Sequence, residues 1–249
     1  MRPDFDLLFL AKCENDDLRT LCDILMYDNN GELRLTESLS NTDSYISCYP
    51  ENMHGMWKDL ASELQNYGGN TILNFFRNGQ GPRYESIVYD VCKKMCVENI
   101  TKHDTAEDME QKLLIKVSSR AIGELTEAQA RSIMEECGIK GYTYSKKGLA
   151  AALLALQLIN RRLFIIVVNA VMRMLSEILL TRGIVIIGMS TLTRGLGFLL
   201  GPIGWVLLTG WTAWDLMGPA YHVTIPAVVQ IAYMRVKYYA STNSNIHVA

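Results

Sequence analysis

Between Gly183 and Met234, fifty-two residues carry only two formal charges, Arg194 and Asp215. Within that stretch, Gly195 to Trp214 runs for twenty residues without a charged side chain, about the length a helix needs to cross a bilayer core. A segment this apolar either enters lipid or is hidden, because a soluble surface does not tolerate so large a contiguous apolar patch.

The rest of the chain is different. Residues 1–147 hold 17 Lys/Arg against 24 Asp/Glu, residues 148–234 hold 5 against 2, and residues 235–249 hold 2 against none. An acidic front argues against nucleic acid as a partner, since phosphate neutralisation needs clustered Lys and Arg. Sparse positive charge on a hydrophobic half instead suits anionic lipid head groups. The chain's 249 residues suffice for one large domain or two ordinary ones. Composition shifts sharply after Lys147. The division expected is an acidic helical domain over 1–145, with a small module at about 1–40, followed by a hydrophobic glycine-rich domain over 146–249.

The front half reads as short helices with clear punctuation. Asp4 caps a first helix through Lys12, with Phe5, Leu8 and Phe9 as its apolar face. A second spans about Asp16 to Tyr27, with Leu18, Leu21, Cys22 and Leu25 inward. Asp28-Asn29-Asn30-Gly31 stops it. Pro50 opens a helix to about Asn66, burying Met53, Trp57, Leu60, Ala61 and Leu64. After the breaker Gly79-Gln80-Gly81-Pro82, a helix from Arg83 to about Met95 turns Tyr84, Ile87, Val88, Val91 and Cys92 inward. Thr105 starts the next, and Thr126 with Gln129 forms a capping box before another that Gly138 ends. No segment alternates with a period of two, so the class expected is all-α.

From Gly148 to Arg182 the pattern predicts one long helix, or two joined near Asn160. Its polar residues Gln157, Arg161, Asn169, Arg173 and Glu177 recur at multiples of four and make one stripe on an apolar cylinder. Beyond it, Gly197 and Gly201 form a GxxxG pair, and Gly204 follows Pro202, a combination that allows close helix packing. If Gly201-Pro202-Ile203-Gly204 is a turn, the region is a hydrophobic hairpin. If Pro202 is only a kink, Gly195 to Trp214 spans once and Leu216 to Met234 returns as a second segment. Trp205, Trp211, Trp214 and Tyr221 beside Asp215, and Tyr233, Tyr238 and Tyr239 beside Arg235 and Lys237, resemble interfacial belts. Lys146-Lys147 and Arg235/Lys237 read as positively charged anchors on either side of the apolar half, or as solvated charge pairs.

No catalytic constellation assembles. The four histidines are isolated, and neither a Walker motif nor a dinucleotide fingerprint is present. No cofactor or metal is expected. The six cysteines all lie in the front half, without a secretory h-region at the N-terminus, and are expected to be reduced. Cys92 and Cys96 share a helical face, and buried thiols are favoured over metal ligands there. Arg77 and Arg83 flank the Gly79–Pro82 breaker ahead of a helix, an arrangement that would bind an anion or simply turn the chain. Arg161, Arg173 and Arg194 are the candidates for lipid phosphate.

Several stretches together resemble the YaaW-type bacterial proteins: Asp6-Leu7-Leu8-Phe9-Leu10 with Asp16-Asp17-Leu18, Leu64 to Asn70, Tyr84 through Asp90-Val91-Cys92, Gly201-Pro202-Ile203-Gly204, and Thr224 to Val228 with Gln230-Ile231-Ala232. The resemblance implies a short N-terminal module and a bacterial cytosolic or inner-membrane location. It also implies a remote grouping with ubiquinol-cytochrome c assembly chaperones, and no catalytic residues.

The sequence therefore points to a non-enzymatic bacterial protein that engages the inner membrane through a C-terminal glycine-rich hairpin, in a stress or phage-conflict setting. Its partners would be the lipid bilayer, an apolar helix of another protein, or a second copy in a homo-oligomer. The alternative is an assembly chaperone or peptide-binding module whose front helices hold an apolar partner helix.

Overall fold

The computed structural model of the chain describes residues 2–28, 32–68, 81–181 and 221–242. Among these residues the fold is all-α, the β-type pairing being an isolated bridge between Tyr27 and Leu33. A 3₁₀ helix, Phe5–Lys12, opens the chain. The α-helices are α1 (Asn15–Met26), α2 (Asp43–Cys48), α3 (Trp57–Gly68), α4 (Tyr84–Lys94), α5 (Ala106–Glu124), α6 (Glu127–Glu136), α7 (Lys146–Ile159), α8 (Arg161–Thr181) and α9 (Tyr221–Thr242).

Helix starts follow local chemistry. Thr105 accepts from the Asp108 N–H at 3.2 Å, and Thr126 and Gln129 exchange the reciprocal bonds of a capping box. Ser145 accepts from the Gly148 N–H at 3.1 Å to start α7. At Asn160 the backbone breaks, with φ −152° and ψ 81°. The Asn160 side chain then caps α8 by accepting from the Leu163 N–H at 3.0 Å. The long apolar stretch is thus two helices meeting at an elbow.

The first turn departs from the sequence expectation. Phe5–Lys12 is a 3₁₀ helix, whose period is three residues rather than 3.6. That period lines up Asp4, Leu7, Leu10 and Cys13, all buried, and leaves Phe5 90% exposed. Leu8, also expected inward, is exposed as well. By contrast, Leu18, Leu21, Cys22 and Leu25 of α1 and Tyr84, Ile87, Val88, Val91 and Cys92 of α4 are buried as their α-helical spacing predicts.

One hydrophobic core runs from Leu7 in the first turn to Val236 near the end of α9. Helix α9 is at its centre, with Val223 through Val236 buried without interruption, as befits a helix covered on all sides. It packs against α1, α3, α4, α5, α8 and the first 3₁₀ helix. Residues 223–234 are therefore interior to the protein, which corrects the expectation of Leu216 to Met234 as a second spanning segment. Among the described residues no helix is long and apolar enough to cross a membrane. Gly197, Gly201, Pro202, Gly204, Trp205, Trp211, Trp214 and Arg194, which define the expected hairpin, lie outside the described residues, as does Arg77.

None of the cysteines forms a disulfide, and no group of metal-ligating side chains gathers among the described residues. Burial raises the Cys13 and Cys92 thiols to about 12, whereas Cys96 is exposed.

Two outcomes follow from this packing. Leu10→Ala should lower the unfolding free energy by about 2–5 kcal/mol while Phe5→Ala changes it by no more than about 0.5 kcal/mol, as read by urea titration. In the native chain, a thiol reagent at pH 8 should label Cys96 rapidly. Cys13 and Cys92 should stay protected until denaturant is added, because a thiol titrating near 12 has roughly one part in ten thousand as thiolate at that pH.

Candidate functional site: the buried anchor of the C-terminal helix

A connected polar cluster lies inside the core, where α9 meets the first turn and α5. Ala106, Glu110, Leu113, Val117 and Ala121 follow one another along the inward face of α5. Glu110 therefore occupies a core position on an otherwise apolar stripe. Facing it is Arg235, whose Nε donates to Glu110 Oε2 at 2.5 Å while one terminal nitrogen donates to Oε1 at 3.1 Å. The same terminal nitrogen donates to the Asp6 carbonyl at 2.6 Å. Its guanidinium also lies 4.1 Å from the centroid of the Phe9 ring, a favourable cation–π contact.

Further partners complete the cluster. The Tyr84 hydroxyl donates to Glu110 Oε1 at 2.7 Å. The Tyr84 N–H, at the start of α4, donates to Asp4 Oδ2 at 2.6 Å. Gln65 donates to the same Asp4 oxygen at 3.2 Å and ties back to the Arg2 backbone through both ends of its amide. Gly81 allows this approach, because a Cβ there would come within 2.0 Å of the Gln65 carbonyl oxygen.

The electrostatics follow from burial. Desolvation pushes the Glu110 carboxyl above its ordinary value, against the opposing pull of Arg235 and Tyr84. Burial disfavours the charged form of Arg235 as well, but Glu110 overcomes that and holds the guanidinium above its usual range. The Tyr84 phenol is pushed well up, first by burial and then by Glu110. Two residues further on, Lys237 donates to Asp17 Oδ2 at 2.9 Å and to Glu14 Oε2 at 2.5 Å, tying α9 to α1 as well. Arg235 and Lys237 thus find their partners within the molecule. This corrects the expectation of a membrane anchor there: the nearest anions are carboxylates of the same chain. Tyr238 and Tyr239 likewise pack within the protein, on Phe9 at 6.1 Å and beneath Arg161 at 5.3 Å.

The remaining candidate residues are placed as follows. Arg83 is exposed just ahead of α4, and the N-terminal N–H of that helix that an external anion would use is taken by Asp4. Arg161 donates to Glu107 Oε1 at 3.2 Å, and Arg173 belongs to α8. Two residues of the polar stripe reach neighbouring helices. Gln157 donates to Gln111 on α5 at 3.2 Å, and Asn169 accepts from the Tyr233 hydroxyl at 3.0 Å.

The two contacts to α9 define its direction. Arg161, at the start of α8, meets Tyr239 near the end of α9, and Asn169 meets Tyr233. The helices are antiparallel, so the end of α8 and the start of α9 lie at the same end of the pair. From the Asn169–Tyr233 contact, twelve residues lead to Thr181 and twelve to Tyr221, about 18 Å of helix in each case.

A protein of Helicobacter pylori strain J99 named UPF0174 protein is 36% identical over 239 residues, covering 94% of this chain and 92% of its own. The chain belongs to the UPF0174 family. Another UPF0174 protein, from H. pylori strain 26695, is 31% identical over 82% of this chain and 98% of its own. The UPF0174 protein YaaW of Escherichia coli strain K12 is 31% identical over 93% of this chain and 94% of its own. Residues 1–35 match a domain of unknown function, DUF3944. No solved structure matches the chain. These relatives carry only family names, which lend no support to a grouping with ubiquinol-cytochrome c chaperones. In structural terms the DUF3944 region supplies Asp4, Asp6, Phe9, Glu14 and Asp17, the residues that receive α9 and the start of α4.

Removing one member of the buried pair strands the other in the core. Arg235→Ala should cost about 3–5 kcal/mol by chemical denaturation, whereas the double replacement Glu110→Leu with Arg235→Met should recover most of that loss.

Proposed function

We propose that this UPF0174 protein is a non-enzymatic bacterial protein that engages the inner membrane through the apolar segment between α8 and α9. In this reading Gly197, Gly201, Pro202 and Gly204 permit a close-packed hairpin, Trp205, Trp211 and Trp214 sit near the head groups, and Arg194 meets lipid phosphate. The observation that carries the proposal is the antiparallel pairing of α8 and α9. A segment whose two ends are held side by side leaves and returns at one end of a folded body, which is what a hairpin entering a single membrane face requires.

The buried anchor supports the same reading. Arg235 and Lys237 hold α9 against the front half, so the helix that follows residues 183–220 is fixed to the folded body. The sequence of that stretch, with Arg194 and Asp215 its only charges, makes lipid the favourable environment.

The test is fractionation of cells expressing the full chain. The protein is expected in the membrane fraction, and Gly201→Glu is expected to move it to the soluble fraction with its thermal unfolding unchanged, since a charge near the middle of such a segment costs roughly 2.5–3.5 kcal/mol in lipid. A wild-type chain that is wholly soluble and monodisperse without detergent would overturn the proposal.

A further inference from the structure

Helix α7 and the elbow that follows it present apolar side chains outward, unlike an ordinary surface helix. Gln157, Arg161 and Asn169 are half-buried or exposed and hydrogen-bond to α5 and α9, while the outward face of α7 and of the elbow carries large apolar side chains. On α7, Lys147, Ala151, Leu154 and Leu158 fall at i, i+4, i+7 and i+11, and all four are exposed. At the elbow, Leu158 is 81% and Ile159 78% exposed, and Leu154 and Ile166 are about half exposed at 48% and 49%. Arg162, on the far side of the Asn160 break, is exposed too. The result is an apolar ridge from Ala151 to Ile159 flanked by Lys147 and Arg162, with Ile166 one turn beyond Arg162.

We infer that this ridge is a second membrane-contact surface, one that docks on an anionic lipid surface. Charge selects the occupant. From Lys146 to Ser176 the chain has five Lys/Arg and no Asp or Glu, while the front of the molecule is acidic. Lys147 and Arg162 are placed to reach head-group phosphates while Leu158 and Ile159 enter the acyl boundary, as in helices that lie in an interface. A symmetric pairing of two copies through this ridge would bring like charges together.

The surface also sets an orientation. Helix α8 is 21 residues long, about 31 Å, and the elbow and the exit of the apolar segment are at its opposite ends. Both meet one bilayer only if α8 lies along the membrane plane. That orientation rests on the hairpin reading above, whereas docking of the ridge does not.

The experiment is sedimentation of the purified full chain with vesicles of phosphatidylcholine, with and without phosphatidylglycerol. Leu158→Glu/Ile159→Glu should weaken partition onto phosphatidylglycerol vesicles by roughly tenfold or more. Arg162→Glu should weaken it severalfold on these vesicles and little on phosphatidylcholine alone. Ile46→Glu, at an exposed site 73% accessible on α2, should bind as wild type. All three sites are exposed, and circular dichroism with thermal unfolding confirms that each variant folds. The proposal is overturned if the wild type does not partition onto phosphatidylglycerol vesicles, or if Leu158→Glu/Ile159→Glu partitions like the wild type. It is equally overturned if that variant loses self-association by light scattering while keeping vesicle binding, which would make the ridge a contact between copies. If Gly201→Glu abolishes partition and the elbow variant does not, the hairpin stands as the membrane contact and the ridge fails. If the elbow variant abolishes partition and Gly201→Glu does not, the ridge stands and the hairpin fails.

Discussion

The bidentate contact between Arg235 and Glu110 organises this molecule. Two opposite charges are buried at the centre of an apolar core, and neither tolerates that place without the other. Their remaining capacity is met by the Tyr84 hydroxyl and the Asp6 carbonyl. The contact therefore fixes three helices and the first turn with respect to one another. Apolar packing alone would let α9 slide or rotate, because fourteen buried residues in succession offer little to distinguish one register from the next. The charged pair selects one register, and Lys237 against Asp17 and Glu14 repeats the selection two residues later.

Much of the helical architecture is legible in the residues themselves. Thr105, Thr126 with Gln129, and Asn160 mark boundaries that the structure reproduces, because capping is a local interaction that needs only a few neighbouring residues. The inward faces of α1 and α4 follow from helical spacing for the same reason. The first turn escapes that rule, because a 3₁₀ period buries Leu7 and Leu10 where an α-helical one would bury Phe5 and Leu8.

The anchor is harder to see in the sequence. Glu110 looks like an ordinary surface glutamate until Ala106, Leu113, Val117 and Ala121 are placed on the same stripe, so the signal is a single charge at a core position. Its partner lies 125 residues away, and no local rule connects them. Arg235 and Lys237 are conspicuous as charges beside an apolar run, and that setting suggests lipid as readily as carboxylate. What decides between the two is tertiary: α1 and α5 bring Glu14, Asp17 and Glu110 within reach. The candidates in the glycine-rich stretch lie beyond the described residues, and their roles rest on composition and on the geometry of the helices that flank them.

The Asp6–Arg235 contact joins residues 229 positions apart, and this has a consequence for the order in which the protein is made. Synthesis runs from the N-terminus, so the apolar stretch emerges before the arginine that closes the core. Until α9 arrives, Glu110 and the faces of α1, α4 and α5 lack their cover, and the most insoluble part of the chain is already exposed. Long-range closure of this kind is slow relative to local helix formation. The nascent chain thus passes through an interval in which its apolar segment is available and its body is unfinished, and a chain cut short before residue 235 never leaves that interval.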